Sequence, residues 1–417
     1  MSQKELQRIK VVESAVNGRL TVAEAAELLQ LSGRQVKRLK RRHAPEDGEW
    51  VHHGNRGRRP ANAIPEEIRR KVVELARGKY AGFNDSHLQE KLAAAEGIRL
   101  SRQSVRRILR GAQIRSPQKR RAPKYRSRRE RRAQEGMMVL TDASRHDWLE
   151  GRGPALTMVG WIDDATGKVP SARFQLEHED SAGYLRTLRH LVETRGIPWS
   201  VYRDQHGTFQ RNDGHWSVAE QLAGRQFPTQ VGRALEELGI ESIAARSPQA
   251  KGRVERLWKT FQDRLVSDLR LAGASTLEQA NGVLELFLAD YNQRFARLPR
   301  ETAQAWRKLD RRLDLDYIFS LRYERKVGKN HVILLGEDIS IQLPPMANRR
   351  GFAGRKVEVC QQPDGRLLVY LERRLLMEQA APPDRPVRAL KMKRNAAPRK
   401  KKPVRIYQLG GRLATRA

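Results

Sequence analysis

The sequence predicts a multidomain α/β protein, with helical modules first, then a core of alternating strands and helices, a run of short strands, and a basic tail. Three observations predict it. Residues 4–111 carry apolar positions at helical spacing; from residue 137 short apolar runs alternate with helical stretches; and from 317 to 380 the pattern is short strands alone. A chain of 417 residues allows roughly two to four sizeable domains.

The N-terminal part sets Leu6, Ile9, Val12 and Val16 on one side of a helix over 4–17. In LTVAEAAELLQLSGRQVKRLKRRH (20–43), Thr21 is placed to cap a short helix ending at Leu29. Leu31-Ser32-Gly33 makes a tight turn, and a second helix starts near Gln35. Residues 1–48 therefore read as a helix-turn-helix, whose second helix offers Arg34, Gln35, Lys37, Arg38 and Arg41 to phosphates and base edges. A small helical bundle with a charged surface is the plainer alternative; the coincidence of turn and basic helix favours DNA.

Residues 49–63 form a linker broken by Gly54, Gly57 and Pro60. Its Arg56, Arg58 and Arg59 suit a minor groove, and equally a solvated tether. A second helical unit spans 64–114, with helices over 64–78, 84–97 and 101–111. Leu88, Leu92, Val105, Ile108 and Leu109 supply its core. Ser101 caps the last helix, which presents Arg102, Arg106 and Arg107, so this unit reads as a second helix-turn-helix or winged-helix module.

Residues 115–134 are a basic linker; the stretch 115–132 holds ten Lys/Arg and one acid. The core of 135–275 follows. MMVLTDAS (137–144) is an apolar strand run ending at an acid, Asp142, while 155–163 and 168–176 form a hairpin around Asp164-Ala165-Thr166-Gly167. A helix over 181–196, a strand over 199–204 ending at Asp204, a helix over 229–239 and a strand over 240–245 come next. In RSPQAKGRVERLWKTFQDRL (246–265), Val254, Leu257, Trp258, Phe261 and Leu265 make the buried stripe of a helix, with Glu255 at its edge. Two helices are expected in a helical extension over 276–312. A small β-barrel is expected over 313–382, with Asp364-Gly365 as a hairpin turn, and a disordered basic tail over 383–417.

Composition narrows the partners. The chain holds 82 Lys+Arg against 48 Asp+Glu, a net charge of +34, and its pI is near 11.0. Such a field selects a polyanion, most often nucleic acid. Cys360 is the single cysteine, so no intramolecular disulfide and no cysteine-based zinc cluster can form, which suits a reducing cytosol. No run approaches the ~18 apolar residues of a membrane span. The expectation is a cytoplasmic, nucleoid-associated protein with no membrane partner.

With these residues in view, Asp142 at one strand, Asp204 at another with Gly207 just after it, and SPQAKGRVER with Glu255 together resemble the catalytic core of DDE transposases and retroviral integrases. The wording TDASRHDWLEGRGP, IDDATGKV and YRDQHGTF resembles bacterial insertion-sequence transposases of the ISNCY kind, over most of residues 1–380. The resemblance implies an RNase H-like core, a mixed five-stranded sheet flanked by helices. The 50 residues between Asp204 and Glu255 exceed the family's usual spacing, and the polar segment 210–228 reads as an inserted loop.

Phosphodiester cleavage asks for an activated attacking oxygen and a stabilised leaving oxygen. Two Mg²⁺ (or Mn²⁺) ions about 3.5–4 Å apart supply both, and such hard cations take carboxylate oxygens. Asp142, Asp204 and Glu255 are thus the candidate catalytic and metal-ligating residues, with Lys251 and Lys259 on Glu255's helical flank as DNA contacts. A solvated Glu255 pairing with Lys259 is the bland alternative. Asp163 and Asp164 are assigned to turn geometry rather than to the site. The resemblance implies a DNA transposase that binds element ends, hydrolyses at the 3′ end and joins the 3′-hydroxyl to target double-stranded DNA, as a dimer or larger synaptic complex. The rival readings are a catalytically inactive sequence-specific DNA-binding regulator and an RNase H-like nuclease.

Overall fold

The computed structural model describes residues 3–44, 48–52, 55, 57, 60–117, 129–211, 213–245, 252–335, 339–344 and 351–380. The chain divides into two compact units, Met1–Val73 and Glu74–Ala417. Arg56, Arg58, Arg59, Lys251, most of the basic linker and the basic tail lie outside the described residues.

The first unit contains α1 (Gln3–Val16), α2 (Val22–Leu29), α3 (Gly33–Arg42) and a short 3-10 turn at Gly48–Val51. Thr21 and Glu24 close a capping box on α2, and Ser32 and Gln35 close another on α3, so both helix starts have their N–H groups satisfied locally. Small residues let the three helices approach: Ala15, Ala25 and Val36 form one buried cluster, and Val12, Trp50 and Val51 a second. The next helix, α4, spans Glu66–Arg77.

In the second unit α5 (Asp85–Ala95) and α6 (Arg102–Gly111) start at the caps Asn84 and Ser101. Leu88, Leu92, Val105, Ile108 and Leu109 are all buried, as their spacing predicts. Five strands follow: β1 (Met138–His146), β2 (Leu156–Asp163), β3 (Ser171–Leu176), β4 (Ser200–Arg203) and β5 (Glu241–Ala244). They form one mixed sheet in the order β3-β2-β1-β4-β5. The first three are antiparallel, and β1–β4 and β4–β5 are parallel.

Alternation along β1 sends Val139 to one face of this sheet and Leu140 to the other. The first face packs under α7 (Ser181–Arg195) and α9 (Gln230–Glu237); the second under α10 (Gly252–Leu271) and α11 (Leu277–Phe295). β2 is buried along its whole length, the pattern of a strand covered on both sides. The 210–228 segment is more than a loop. It contains α8 (Val218–Ala223), started by a Ser217–Glu220 capping box, and buried Glu220 also accepts the Phe227 N–H at 2.8 Å and pairs with Arg211.

Two expectations are corrected. Only one helix, α11, forms in 276–309. Beyond Pro299 the chain runs extended across the core, where Arg307 bridges Ile197 and one Arg307 nitrogen donates to the carbonyls of Pro198, Leu238 and Gly239. Trp306 packs against Gly136 there, so its apolar spacing reflects contact with the core and not a helix. The C-terminal strands, after the short α12 (Leu315–Ile318), are β6 (Leu321–Lys326), β7 (Val332–Leu335), β8 (Ile339–Gln342), β9 (Lys356–Gln361), β10 (Leu367–Leu371) and β11 (Arg374–Gln379). They make an open sheet ordered β11-β10-β9-β6 and a separate β7–β8 hairpin, and no closed barrel among the described residues. One face of that sheet buries Leu321, Val357, Val359 and Val369 into the same core as α7, which removes the need for closure. The Asp364-Gly365 turn does join β9 to β10, with Gly365 at φ +94°.

Candidate active site

Asp142, expected at the end of its strand, lies instead in the middle of β1, because the pairing with β2 continues to His146; it is on the α10 face, two residues beyond Leu140, and half-buried. Leu140 is the register partner of Tyr202 in the parallel neighbour β4, and Asp204 lies two residues beyond Tyr202. Equal offsets from that register pair bring Asp142 and Asp204 to the same end of neighbouring parallel strands, with Asp204 one residue past the end of β4. A buried hydroxyl reports the same convergence. Burial pushes the Tyr184 hydroxyl well above its ordinary pKa, and the charges of Glu179, Asp142 and Asp204 push the same way.

The helix α10 reaches this pair through Trp258, whose indole N–H donates to Asp142 Oδ2 at 3.1 Å. The approach depends on Gly160, the residue opposite Asp142 in β2: a Cβ there would stand 2.7 Å from the Trp258 ring. One turn further on, Gln262 donates to Ser144 Oγ at 3.2 Å. Glu255, three residues before Trp258, therefore shares the flank of α10 that runs along β1, and it is exposed in the first turn. Lys259 is exposed on this flank too. Val254, Leu257, Trp258, Phe261 and Leu265 are buried, as the stripe predicts.

Around Asp204 the loop is tied locally. The His206 N–H donates to Asp204 Oδ1 at 2.9 Å, and the His206 ring lies against Thr208 Oγ1 at 3.0 Å and Glu179 Oε1 at 3.5 Å. Tyr184 donates its hydroxyl to the other oxygen of Glu179 at 2.6 Å. Sequence reasoning missed Glu179, Tyr184 and the polar role of Trp258; the one available signal was an indole N–H on an otherwise apolar stripe. Asp163 and Asp164 stay out of the cluster: Asp163 accepts from Gly136 N, Thr166 N and Thr166 Oγ1, and Asp164 from Arg129 and Arg132 N.

Among the described residues no three His, Cys, Asp and Glu side chains stand close enough to hold a metal ion. Asp142 and Asp204 lie at equal offsets from a register pair and Glu255 lies on the flank of α10 along β1, and uncompensated like charges repel. The donor chemistry, oxygen only, fits a hard divalent cation and not zinc held by nitrogen or sulfur. Arg34, Lys37, Arg38 and Arg41 are exposed on α3, Gln35 is turned back onto Ser32, and Arg102, Arg106 and Arg107 are exposed on α6. No described helix is long and apolar enough to cross a membrane.

No family model matches the chain. A Sinorhizobium fredii protein named as a transposase, y4bF, is 37% identical over 369 residues, covering 88% of this chain and 79% of that protein. The transposase for insertion sequence IS1202 of Streptococcus pneumoniae is 31% identical over 329 residues, covering 70% of this chain and 68% of that protein. Likeness to solved structures is weaker, and the sheet order above does not lean on it. The intasome of simian T-cell lymphotropic virus with PP2A subunit B56 gamma matches at 14% identity and TM-score 0.30, over 75% of this chain and 100% of that chain. The BIV integrase catalytic core matches at 16% and 0.25, over 38% and 85%. The chain belongs to the family of insertion-sequence transposases, and it is a DNA transposase.

Proposed function

We propose that transposition is carried out at a single centre built from Asp142, Asp204 and Glu255 on an RNase H-like core, which cleaves at the 3′ end of the element and joins the freed 3′-hydroxyl to target DNA. The observation that supports this reading is the parallel pairing of β1 with β4, with Asp142 and Asp204 each two residues past the Leu140–Tyr202 pair, together with the Trp258 N–H of α10 on Asp142. Asp142, Asp204 and Glu255 would hold two Mg²⁺ or Mn²⁺ ions, which when bound would activate the attacking oxygen and neutralise the leaving one. Convergence of Glu255 on the two aspartates is expected on loading, since the cation removes their mutual repulsion.

The protein's own residues do the rest. The Trp258 N–H fixes the orientation of the Asp142 carboxylate, and the His206 N–H does the same for Asp204. Lys259, exposed beside Glu255, holds DNA phosphate near the reacting bond. The first three helices act as a helix-turn-helix in which exposed α3 reads the terminal repeat of double-stranded DNA, and α6 adds phosphate contacts through Arg102, Arg106 and Arg107. Joining two element ends requires a dimer or a larger synaptic complex.

The test is incubation of purified protein with labelled element-end DNA and target plasmid, with and without Mg²⁺ or Mn²⁺. Joined products that need the metal are expected from the wild type. Asp142→Asn is expected to bind ends and make no product; joining by that variant removes Asp142 from the centre.

A further inference from the structure

Asp164 lies immediately after β2, fully buried, and its carboxylate gathers three groups from two segments far away in sequence, 129–132 and the start of α10. Arg129, at the end of the basic linker, donates through Nη2 to Oδ1 at 2.7 Å and through Nη1 to Oδ2 at 3.2 Å; the Arg132 N–H donates to Oδ2 at 2.8 Å. The third group is Arg253, the second residue of α10, which pairs with Asp164 Oδ1 and donates its other terminal nitrogen to the Arg129 carbonyl. Burial would push the Asp164 carboxyl up; Arg129, the Arg132 N–H and Arg253 outweigh it and hold the group below its ordinary value.

The position of Arg253 gives this cluster a consequence for the reaction. It stands two residues before Glu255, in the same first turn of α10, where helix ends fray most easily. Trp258 secures the next turn to Asp142, but it lies on the C-terminal side of Glu255. Arg253 is the described polar tether on the N-terminal side, and it is mostly buried, with its side chain 18% exposed. A carboxylate clamped before and after by fixed neighbours loses little further freedom when it closes on a cation.

We infer that Arg253, anchored by Asp164, is a positioning residue that sets the first turn of α10 so that Glu255 can complete the carboxylate centre. The inference rests on the reading of Asp142, Asp204 and Glu255 given above. Arg253 touches neither DNA nor the reacting atoms in this role; it acts through Glu255.

The experiment compares full-length wild type, Arg253→Gln, Arg253→Lys and Asp142→Asn by Mn²⁺ titration followed by electron paramagnetic resonance, by joining rate at saturating element-end DNA, and by thermal midpoint. Removing a group that orients a ligand from outside typically weakens metal binding about 10–100-fold. Arg253→Gln is expected to weaken Mn²⁺ binding about tenfold and to slow joining with no change in the DNA concentration needed for half-saturation. Its thermal midpoint should stay near wild type, because Asp164 keeps Arg129 and the Arg132 N–H. Arg253→Lys retains the cation but not the second donor and should recover part of the affinity. Wild-type Mn²⁺ affinity in Arg253→Gln overturns the inference. If Arg253→Gln does not fold, Arg253→Lys decides: weakened binding supports the inference and unchanged binding overturns it. Joining by Asp142→Asn would instead sink the underlying reading, so the two failures are distinguishable.

Discussion

The two faces of the central sheet are packed equally well but built differently. The α7 face is a continuous apolar core: Val139, Trp161, Leu188 and Val201 merge without a break into Phe319, Leu321, Val359 and Val369 of the C-terminal sheet. The α10 face has a core of its own, from Leu140 and Met158 to Phe261 and Tyr291, but polar groups stand at its rim, where Asp142, Ser144, Trp258 and Gln262 meet. Apolar contact is non-directional and fixes a sheet in place. The hydrogen bonds at the rim are directional and fix where a carboxylate points. One face holds the molecule together and the other aims its chemistry.

That contrast can be broken from either side. The largest effect is expected at the rim: Asp142→Asn should lower joining on the order of 10³-fold or more, the scale on which loss of one catalytic group acts, with urea unfolding little changed. On the opposite face, Trp161→Ala should cost about 3–5 kcal/mol, because Trp161 is wholly buried there. Its indole N–H also donates to Thr187 Oγ1 at 2.8 Å, so a denaturation curve should show a large loss. Gly160→Ala falls between the two kinds. A Cβ 2.7 Å from the Trp258 ring must displace it, which should cost about 1–3 kcal/mol and also reduce joining as the N–H leaves Asp142.

The smallest effect is set by pH. The folded-state pKa of Asp164 lies below its ordinary value of 3.8, so its contribution to stability is present above that value and is lost as pH falls through the folded one. In urea midpoints measured from neutral pH downward, the advantage of wild type over Asp164→Asn should be constant near neutrality and shrink in acid. A gap that widens in acid would show that Asp164 is not held as an anion.

Much of this was legible in the sequence because it is local. Capping residues Thr21 and Ser101 start their helices, the stripe from Val254 to Leu265 is buried, and the Asp-Gly turn at 364–365 joins two strands. The end of the strand before Asp204 was readable for the same reason, whereas β1 runs four residues past Asp142. What failed was non-local. The apolar residues of 300–309 suggested a helix until Gly136 and Ile197, far away in sequence, were seen to be their partners. Asp164 looked like a turn residue because nothing near it announces Arg129 or Arg253. Strand patterns in 317–380 gave the strands but not their edges, since an open sheet lying on another core and a closed barrel alternate alike.

The core shared between the catalytic sheet and the C-terminal strands has a bearing on the fate of damaged element copies. A chain cut short before β6 would lose Leu321, Val357, Val359, Val369 and their neighbours from that shared hydrophobic interior and uncover the apolar side chains packed against them. Such a fragment is a substrate for proteases rather than a trimmed but working enzyme, so a late stop codon should silence the element as thoroughly as an early one.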